Sequence, residues 1–227
     1  SYYGDIYGQT FQRVEDKNDP NYSKIIVGED GLPLITTGKS KVGNQSPDWM
    51  LGWTNSFSYK GFNLSFLMDF RIGGDLYSAT ASNLYTRGNA AGTVVNGERQ
   101  DFIVPNSVVQ TPNGYTENKV PVTHQNYWER IGSTGNYGLP EMYTYDATNI
   151  RLRNITLGYD FNKAMLKNTP FQRLRLSATC NNVWMIHYNL PGIDPESVSA
   201  TNTNATGFEN GAAPTSRSFT FNVTVGF

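Results

Sequence analysis

Thiol and imidazole side chains are scarce in this sequence of 227 residues, which has one cysteine, Cys180, and two histidines, His124 and His187. A single cysteine excludes an internal disulfide framework and a cysteine-based zinc site. The histidines are far apart in sequence, and no G-x-S-x-G, H-E-x-x-H or phosphate-binding glycine loop is present. The sequence therefore predicts no enzyme activity, no cofactor and no bound metal.

Long apolar runs and an excess of one charge are absent as well. No stretch of about 18 apolar residues occurs, which argues against a membrane-spanning helix. The 18 Lys and Arg residues are balanced by 19 Asp and Glu residues, so no basic face for nucleic acid is expected. Strands remain the one means of crossing a membrane, because in lipid only helices and closed barrels satisfy every backbone polar group.

Aromatic, small and turn-forming residues dominate what is present. The chain contains 22 Gly, 14 Tyr and 12 Phe, while apolar residues make up only 38% of it. Together with many Asn, Ser and Thr, this composition favours strands joined by long loops, with helix as a minor component. The sequence predicts an all-β protein built from antiparallel strands.

The stretch Arg217–Phe227 carries the clearest strand pattern. Its large apolar side chains alternate strictly with small polar ones, which places them on one face of a strand. Its length fits the roughly 9 to 11 residues that a tilted membrane-crossing strand needs. The residues of this apolar face are Phe219, Phe221, Val223, Val225 and Phe227.

Two further segments, Asp48–Ile72 and Asn149–Trp184, show the same alternation and are each predicted to form two antiparallel strands. A tight Lys60–Gly61 turn joins the first pair, and a connector with a short helix near Lys163–Lys167 joins the second. Side chains expected to face lipid on the strand Gly61–Ile72 are Phe62, Leu64, Phe66, Met68 and Phe70. Residues near strand ends that are expected to form interfacial aromatic girdles are Trp49, Trp53, Tyr59 and Trp184.

Charged residues at alternate strand positions are costly in lipid but normal toward a watery lumen, so the polar faces are expected to point inward. The arginines expected to face the lumen or a plug are Arg71, Arg151, Arg153, Arg173 and Arg175. Attraction of an anionic ligand is the alternative use of these arginines.

The connections between the predicted strands are of very unequal length. The long ones are Glu15–Pro47, Asp75–Thr148 and Asn189–Ser216, and the short ones are Lys60–Gly61 and Asn162–Gln172. Long and short connections alternate along the chain, as the extracellular loops and periplasmic turns of outer-membrane barrels do. The connection Asp75–Thr148 is too long for an inert linker and is expected to form an ordered extracellular lobe with strands or turns of its own.

Together these blocks resemble the C-terminal part of the SusC/RagA-like TonB-dependent transporters, which are outer-membrane importers of oligosaccharides and peptides. The resemblance covers nearly the whole chain, in order and with consistent spacing. The blocks that carry it are IIVGEDGLPLITTG, VGNQSPDWMLGWTNSFSYKGFNLSFLMDFRIGGDLYS, YDATNIRLRNITLGYDFN, TPFQRLRLSATCNNVW, PGIDPE and SFTFNVTVGF.

The resemblance implies a bacterial outer-membrane protein with a 22-stranded barrel, an N-terminal plug, energy supplied by the TonB complex and a SusD-like surface lipoprotein as partner. It also implies that the apolar face Phe219–Phe227 is read as an assembly signal. At most six strands are predicted here, the first near Asp5–Val14, and six strands cannot enclose such a lumen. Residues 1–227 are therefore interpreted as the C-terminal segment of the barrel, without the plug, the TonB box and the N-terminal strands.

Aromatic side chains of the long connection are the candidates for contact with an oligosaccharide or peptide, because flat rings with a polar group suit such ligands. They are Tyr127, Trp128, Tyr137, Tyr143 and Tyr145. The alternative interpretation is that these rings pack the loop onto itself or onto the partner lipoprotein.

Acidic residues in loops admit two chemical interpretations, and turn structure is preferred over both. Asp194 and Glu196 of PGIDPE have the residue types of an acid/base pair, but they flank a proline in a loop. Asp30 and Asp146 lie in oxygen-rich loops, but neither has the alternating ligands of a defined calcium loop.

The sequence therefore predicts part of an outer-membrane, TonB-dependent importer of glycans or peptides. The alternative is a soluble carbohydrate-binding or adhesin-like β-sandwich. The direction of the apolar stripes distinguishes the two, because a sandwich buries them between two sheets and a barrel leaves them facing outward on one sheet.

Overall fold

The computed structural model describes residues 3–94, 97–135, 138–199 and 205–227. The chain divides into two compact units. The sheet unit consists of Pro47–Gly74, Asp146–Ser197 and Ala213–Phe227. The lobe unit consists of Ser1–Ser46, Asp75–Tyr145 and Val198–Ala212.

Strands make up most of the regular structure. In chain order the strands are β1 (Asp5–Gly8), β2 (Ile25–Val27), β3 (Ser40–Asn44), β4 (Trp49–Tyr59), β5 (Phe62–Ile72), β6 (Asp75–Ser78), β7 (Ser107–Thr111), β8 (Gly114–Glu117), β9 (Thr144–Asp146), β10 (Asn149–Asp160), β11 (Arg173–Tyr188), β12 (Phe208–Glu209) and β13 (Ser218–Gly226). The helices are α1 (Ala79–Thr86), α2 (His124–Gly132), α3 (Pro140–Tyr143) and α4 (Lys163–Leu166), with a 3₁₀ turn at Ala91–Thr93. Among the described residues no helix combines the length and the apolar character that crossing a bilayer requires.

The sheet unit is one antiparallel sheet with the strand order β13-β11-β10-β5-β4. The turn between β4 and β5 has left-handed φ angles at both of its residues, 48° at Lys60 and 93° at Gly61. Such a two-residue turn matches the twist of the strands that it joins. A Cβ atom at Gly61 would lie 2.7 Å from the carbonyl oxygen of Asp160, so glycine is required there. The predicted hairpin is confirmed.

The connections of this sheet alternate as the sequence predicts. Long connections join β5 to β10 and β11 to β13. Short connections join β4 to β5 and β10 to β11. The short connection between β10 and β11 contains α4, which begins after Asn162, whose side chain accepts a hydrogen bond from the amide of Met165 (2.9 Å). The predicted short helix is therefore confirmed.

The lobe unit contains three small sheets, with the strand orders β1-β3, β2-β7-β8 and β12-β6-β9. Val14, Ile26 and Val108 form a buried cluster. Helix α1 is capped by Ser78, which accepts from the amide of Ala81, and α2 is capped by Thr123. The described residues of Asp75–Thr148 form strands and helices, so the expectation that this segment has regular structure of its own is confirmed, although its helices were not predicted. Its extracellular position stays a prediction.

The predicted first strand of the barrel, near Asp5–Val14, is wrong. β1 ends at Gly8 and pairs with β3 in the lobe unit, not with any strand of the five-stranded sheet. Beyond β1 the backbone bonds elsewhere, since the amide of Gln12 donates to Leu34 and the amide of Val14 donates to Lys24. The sheet therefore has five described strands and not six.

Candidate functional site

One face of the five-stranded sheet is apolar across all of its strands. Cross-strand register aligns the side chains in rows, and one such row contains Trp53, Met68, Leu152 and Trp184. The side chains of the apolar face are Trp49, Leu51, Trp53, Phe57, Tyr59, Phe62, Leu64, Phe66, Met68, Phe70, Ile72, Ile150, Leu152, Ile155, Leu157, Tyr159, Leu174, Leu176, Ala178, Cys180, Trp184, Phe219, Phe221, Val223 and Val225. The predicted lipid-facing residues of β5 thus share one face, opposite Asp69 and Arg71.

The side chains of the apolar face are largely exposed. Phe57, Leu157 and Phe221 are 57%, 54% and 79% exposed, which is far above the values of a protein core. Within the described residues, the buried side chains of β10 are polar ones such as Asn149 and Arg151, and no apolar side chain of the five strands is buried. Monomeric soluble proteins rarely expose a contiguous apolar face of this extent. It is the surface expected of a sheet whose outer environment is lipid.

Aromatic rings mark the two ends of the apolar face. At the end with the short connections, rings are paired at centroid distances of 4.6 Å for Phe62 and Tyr159, 4.9 Å for Tyr159 and Phe161, and 5.4 Å for Phe171 and Phe227. At the opposite end Trp49 begins β4. Trp53 and Trp184 instead lie in the row of Met68, near the middle of β5, so the prediction that they belong to a girdle is wrong. Aromatic girdles of this kind occur at both membrane interfaces of outer-membrane barrels.

The length of β5 fits a bilayer. β5 has 11 residues and therefore extends about 34 Å at roughly 3.4 Å per residue. A strand of that length tilted by about 45° spans roughly 25 Å, which is the height of the apolar band of outer-membrane barrels.

The opposite face of the sheet carries the charges. Register places Arg151 opposite Asp69 and Arg175 opposite Asp160 and Thr224, all on this polar face. The five predicted arginines lie on or next to the polar face, as their alternation with apolar neighbours indicates: Arg71, Arg151, Arg153, Arg173 and Arg175. That the polar face lines a lumen stays a prediction.

Two of these arginines form ion pairs with carboxylates, and the sequence did not predict these pairs. Arg151 is 2.6 Å from Asp194, and both side chains are buried. Arg153 forms ion pairs with Asp69 and with Glu196. The guanidinium groups of Arg151 and Arg153 are thus bound to the PGIDPE segment, which limits their use for a plug or an anionic ligand.

Asp194 and Glu196 are consequently structural in this geometry. Burial favours the protonated form of Asp194, but hydrogen bonds from Thr215 and from the amide of Glu196, together with the charge of Arg151, outweigh it and lower the pKa of Asp194. A depressed pKa means that the ion pair stabilises the fold above the ordinary carboxyl pKa and is lost only as the pH falls through the lowered value. A general acid needs a pKa near neutral pH, and the lowered pKa of Asp194 argues against that role for its carboxyl group.

The candidate aromatic contacts of the long connection lie largely in the interior of the lobe unit. Tyr127 and Trp128 are each 8% exposed and Tyr143 is 0% exposed. Burial raises the pKa of Tyr127 to about 12 and that of Tyr145 to about 12. The proposed role in ligand contact is therefore wrong for Tyr127 and Tyr143, whose rings pack the lobe. Trp128 borders a cleft beside Arg87 and Glu129, and Tyr137 lies outside the described residues.

The other candidates have local partners. The carboxylate of Asp30 accepts from the amide of Leu32 at 3.0 Å, and that of Asp146 accepts from the amide of Thr148 at 2.8 Å. In both cases the aspartate side chain bonds the backbone two residues further on and closes a turn. This agrees with turn structure, the interpretation preferred from the sequence. His124 lies in α2 and its ring is 4.7 Å from that of Phe102.

No protein-family model matches the chain. TonB-dependent receptor P3 of Formosa agariphila is 25% identical over 234 residues, which cover 100% of this chain and 21% of that protein. TonB-dependent receptor P39 of the same organism is 32% identical over 158 residues, or 68% of this chain and 14% of that protein. The chain thus spans about a fifth or less of the length of these relatives.

Solved structures share the fold. A structure of the RagAB peptide importer in its closed-closed state matches 97% of this chain and 23% of its own chain, with a TM-score of 0.59 and 13% identity. A structure of the RagAB peptide transporter matches 97% of this chain with a TM-score of 0.57 and 15% identity. The resemblance predicted from the sequence is confirmed by these relatives.

Proposed function

We propose that this chain, which belongs with the SusC/RagA-like TonB-dependent transporters of the bacterial outer membrane, forms the C-terminal part of the barrel of an active importer. The observation that carries this proposal is the single antiparallel sheet with an open apolar face and a charged opposite face. Lipid would cover the first face and a watery lumen would meet the second.

The edges of the sheet support a larger closed structure. β4 and β13 each have one strand neighbour in the described residues, so each presents one unpaired row of backbone groups. Unpaired N–H and C=O groups in lipid cost several kcal/mol each. We therefore propose that further strands, up to the 22 of the family, join at these edges, and that a plug from the rest of the protein fills the lumen.

The proposed cargo is an oligosaccharide or a peptide. Peptide import is the activity in the name of the structurally similar RagAB proteins, and the family as a whole suggests both classes. The proposed partners are a SusD-like lipoprotein at the cell surface and the TonB complex. No nucleic acid and no catalytic activity are part of this function.

The alternative, a soluble carbohydrate-binding or adhesin-like sandwich, is disfavoured by the same sheet. A sandwich requires a second sheet on the apolar face, whereas Phe57, Leu157 and Phe221 are open there. This alternative also requires exposed aromatic rings that a sugar can contact, whereas Tyr127 and Tyr143 are buried.

Import is tested in the host bacterium with fluorescein-labelled casein peptides and fluorescein-labelled maltodextrin as probes. We expect deletion of the full-length protein to abolish accumulation of one of the two probes, and loss of TonB to have the same effect. The control is the deletion strain carrying the intact gene, in which accumulation should return. Uptake that continues without TonB would contradict an energised importer.

Topology is tested with single cysteines in a Cys180→Ala background. Asn113, in the β7–β8 turn, and Asn168, between α4 and β11, are both exposed. We expect a membrane-impermeant maleimide to label Asn113→Cys in intact cells and to label Asn168→Cys only after the outer membrane is permeabilised, because the two lie in a long and a short connection. The reverse labelling pattern would show that the assigned orientation is inverted.

A further inference from the structure

Two stretches of the connection between β11 and β13 lie against the polar face of the sheet. We call residues 189–197 the first limb and residues 213–217 the second limb of this connection. The first limb contains the PGIDPE sequence, and its apolar residues Leu190 and Ile193 are 1% and 9% exposed. Both limbs meet Arg151 of β10, whose side chain is 3% exposed.

One carboxylate joins the strand to both limbs. Asp194 Oδ1 accepts from Arg151 Nη2 at 2.6 Å and from the amide of Glu196 at 3.0 Å. Asp194 Oδ2 accepts from the amide and the hydroxyl of Thr215, in the second limb. Arg151 Nη1 in turn donates to the hydroxyl of Thr215 at 2.6 Å. Arg151, Asp194 and Thr215 therefore form a closed triangle of hydrogen bonds.

A second pair extends this triangle to the next strand. Glu196 accepts from Arg153 of β10, which also pairs with Asp69 of β5. The limbs are further joined to each other, since the hydroxyl of Ser197 donates to the carbonyl of Ala213 at 2.9 Å. The network thus spans two strands of the sheet and both limbs.

A buried arginine and carboxylate in such a network resist separation. Removing one partner of a buried ion pair leaves an uncompensated charge, which is strongly unfavourable. Bonds between charged groups are also roughly twice as strong as neutral ones. Residues of a mobile lid would instead show few buried contacts and solvent-exposed backbone bonds.

We propose that Arg151, Asp194 and Thr215 form an anchor that fixes both limbs to the polar face, so that the base of this connection is a static part of the conduit wall and not a mobile lid. The proposal rests on the proposed function only in calling the polar face a conduit wall. Asp194 and Thr215 are positioning residues, because they act on the limbs and not on a transported solute.

The anchor is tested by spin labelling of the full-length protein in detergent. A nitroxide is attached to Ser216→Cys, in the second limb, in a Cys180→Ala background, and its mobility is compared between the parent and Asp194→Asn. We expect Asp194→Asn to shift the balance between immobile and mobile label by about tenfold or more toward the mobile form. Asp194→Glu, which keeps the charge, should restore part of the immobile signal.

The matched control is Asp160→Asn, which removes a carboxylate from the same polar face. Asp160 lies 4.0 Å from Arg175 in an exposed pair near the short connections, so its loss should leave the label immobile. Should Asp194→Asn protein fail to reach the membrane, Thr215→Val keeps the buried ion pair and is expected to give a smaller shift in the same direction. An unchanged spectrum in Asp194→Asn, or in Thr215→Val where the former is not obtained, would overturn the anchor. So would an equal change in Asp160→Asn. The spectra do not depend on transport, so failure of the import experiment would leave this result standing.

Discussion

Met68→Arg is expected to destabilise the membrane-inserted protein strongly, whereas Leu67→Arg, one residue away, should have a much smaller effect. Met68 lies on the apolar face between Trp53 and Leu152. Leu67 lies on the polar face between Thr54 and Asn154. An arginine on the lipid face near the bilayer midplane costs about 2–4 kcal/mol, whereas one in a watery lumen remains hydrated.

The two variants form a matched pair, because each replaces an apolar residue of β5 by the same cation. The measurement is the abundance of the full-length protein in purified outer membranes, followed by its unfolding midpoint in urea. Equal losses for the two variants would show that both faces of β5 meet the same environment, and the lipid-facing assignment would then fail.

Phe227→Ala is expected to lower outer-membrane abundance much more than Cys180→Ala does. Phe227 is 76% exposed and continues the apolar face of β13, with its ring beside Phe171. The family resemblance implies that an alternating strand ending in an aromatic residue is read by the assembly machinery. Strand closure decides whether the protein survives in lipid, because an open edge leaves backbone groups unpaired.

Cys180→Ala serves as the control, since Cys180 lies on the same apolar face in the neighbouring strand, opposite Phe219. Its replacement removes a small apolar side chain without altering the alternation of β13. Similar amounts of the two variants in purified outer membranes would argue against a role for Phe227 in assembly and would leave it as an interfacial aromatic residue.

The strands of the sheet could be read from the sequence because their pattern is local. A period of two in Phe62–Ile72 and Ser218–Gly226 places alternate side chains on opposite faces whatever the neighbours are. The Lys60–Gly61 turn and the helix at Lys163–Leu166 were likewise predicted from nearby residues. In a sheet between lipid and water no second layer is needed, so the pattern alone was sufficient.

Helix α2 was missed although a signal was present. His124, Tyr127, Trp128 and Ile131 are its buried residues, and their spacing of three and four residues is that of one helical face. Thr123 supplies a cap just before them. The segment is predicted as a loop whose aromatic rings either contact a ligand or pack the loop, whereas its periodicity indicates a helix with these rings on its buried face.

The strand at Asp5–Val14 and the role of PGIDPE depended on contacts between distant residues. Apolar and polar residues near Asp5 suit a strand, but which strand pairs with it is decided by the partner, here β3. Asp194 reaches Arg151 across 43 positions of sequence, and no local rule relates the two.

The sequence by itself determined the secondary structure of the sheet, the separation of its apolar and polar faces and the alternation of long and short connections. These features follow from covalent geometry and hydrophobicity, which act over a few residues. The tertiary structure alone decided that β1 lies outside the sheet, that Tyr127 and Tyr143 are buried and that Asp194 binds Arg151. Such outcomes depend on which distant groups meet when the chain closes its loops, because burial and charge pairing are properties of the folded neighbourhood and not of the residue.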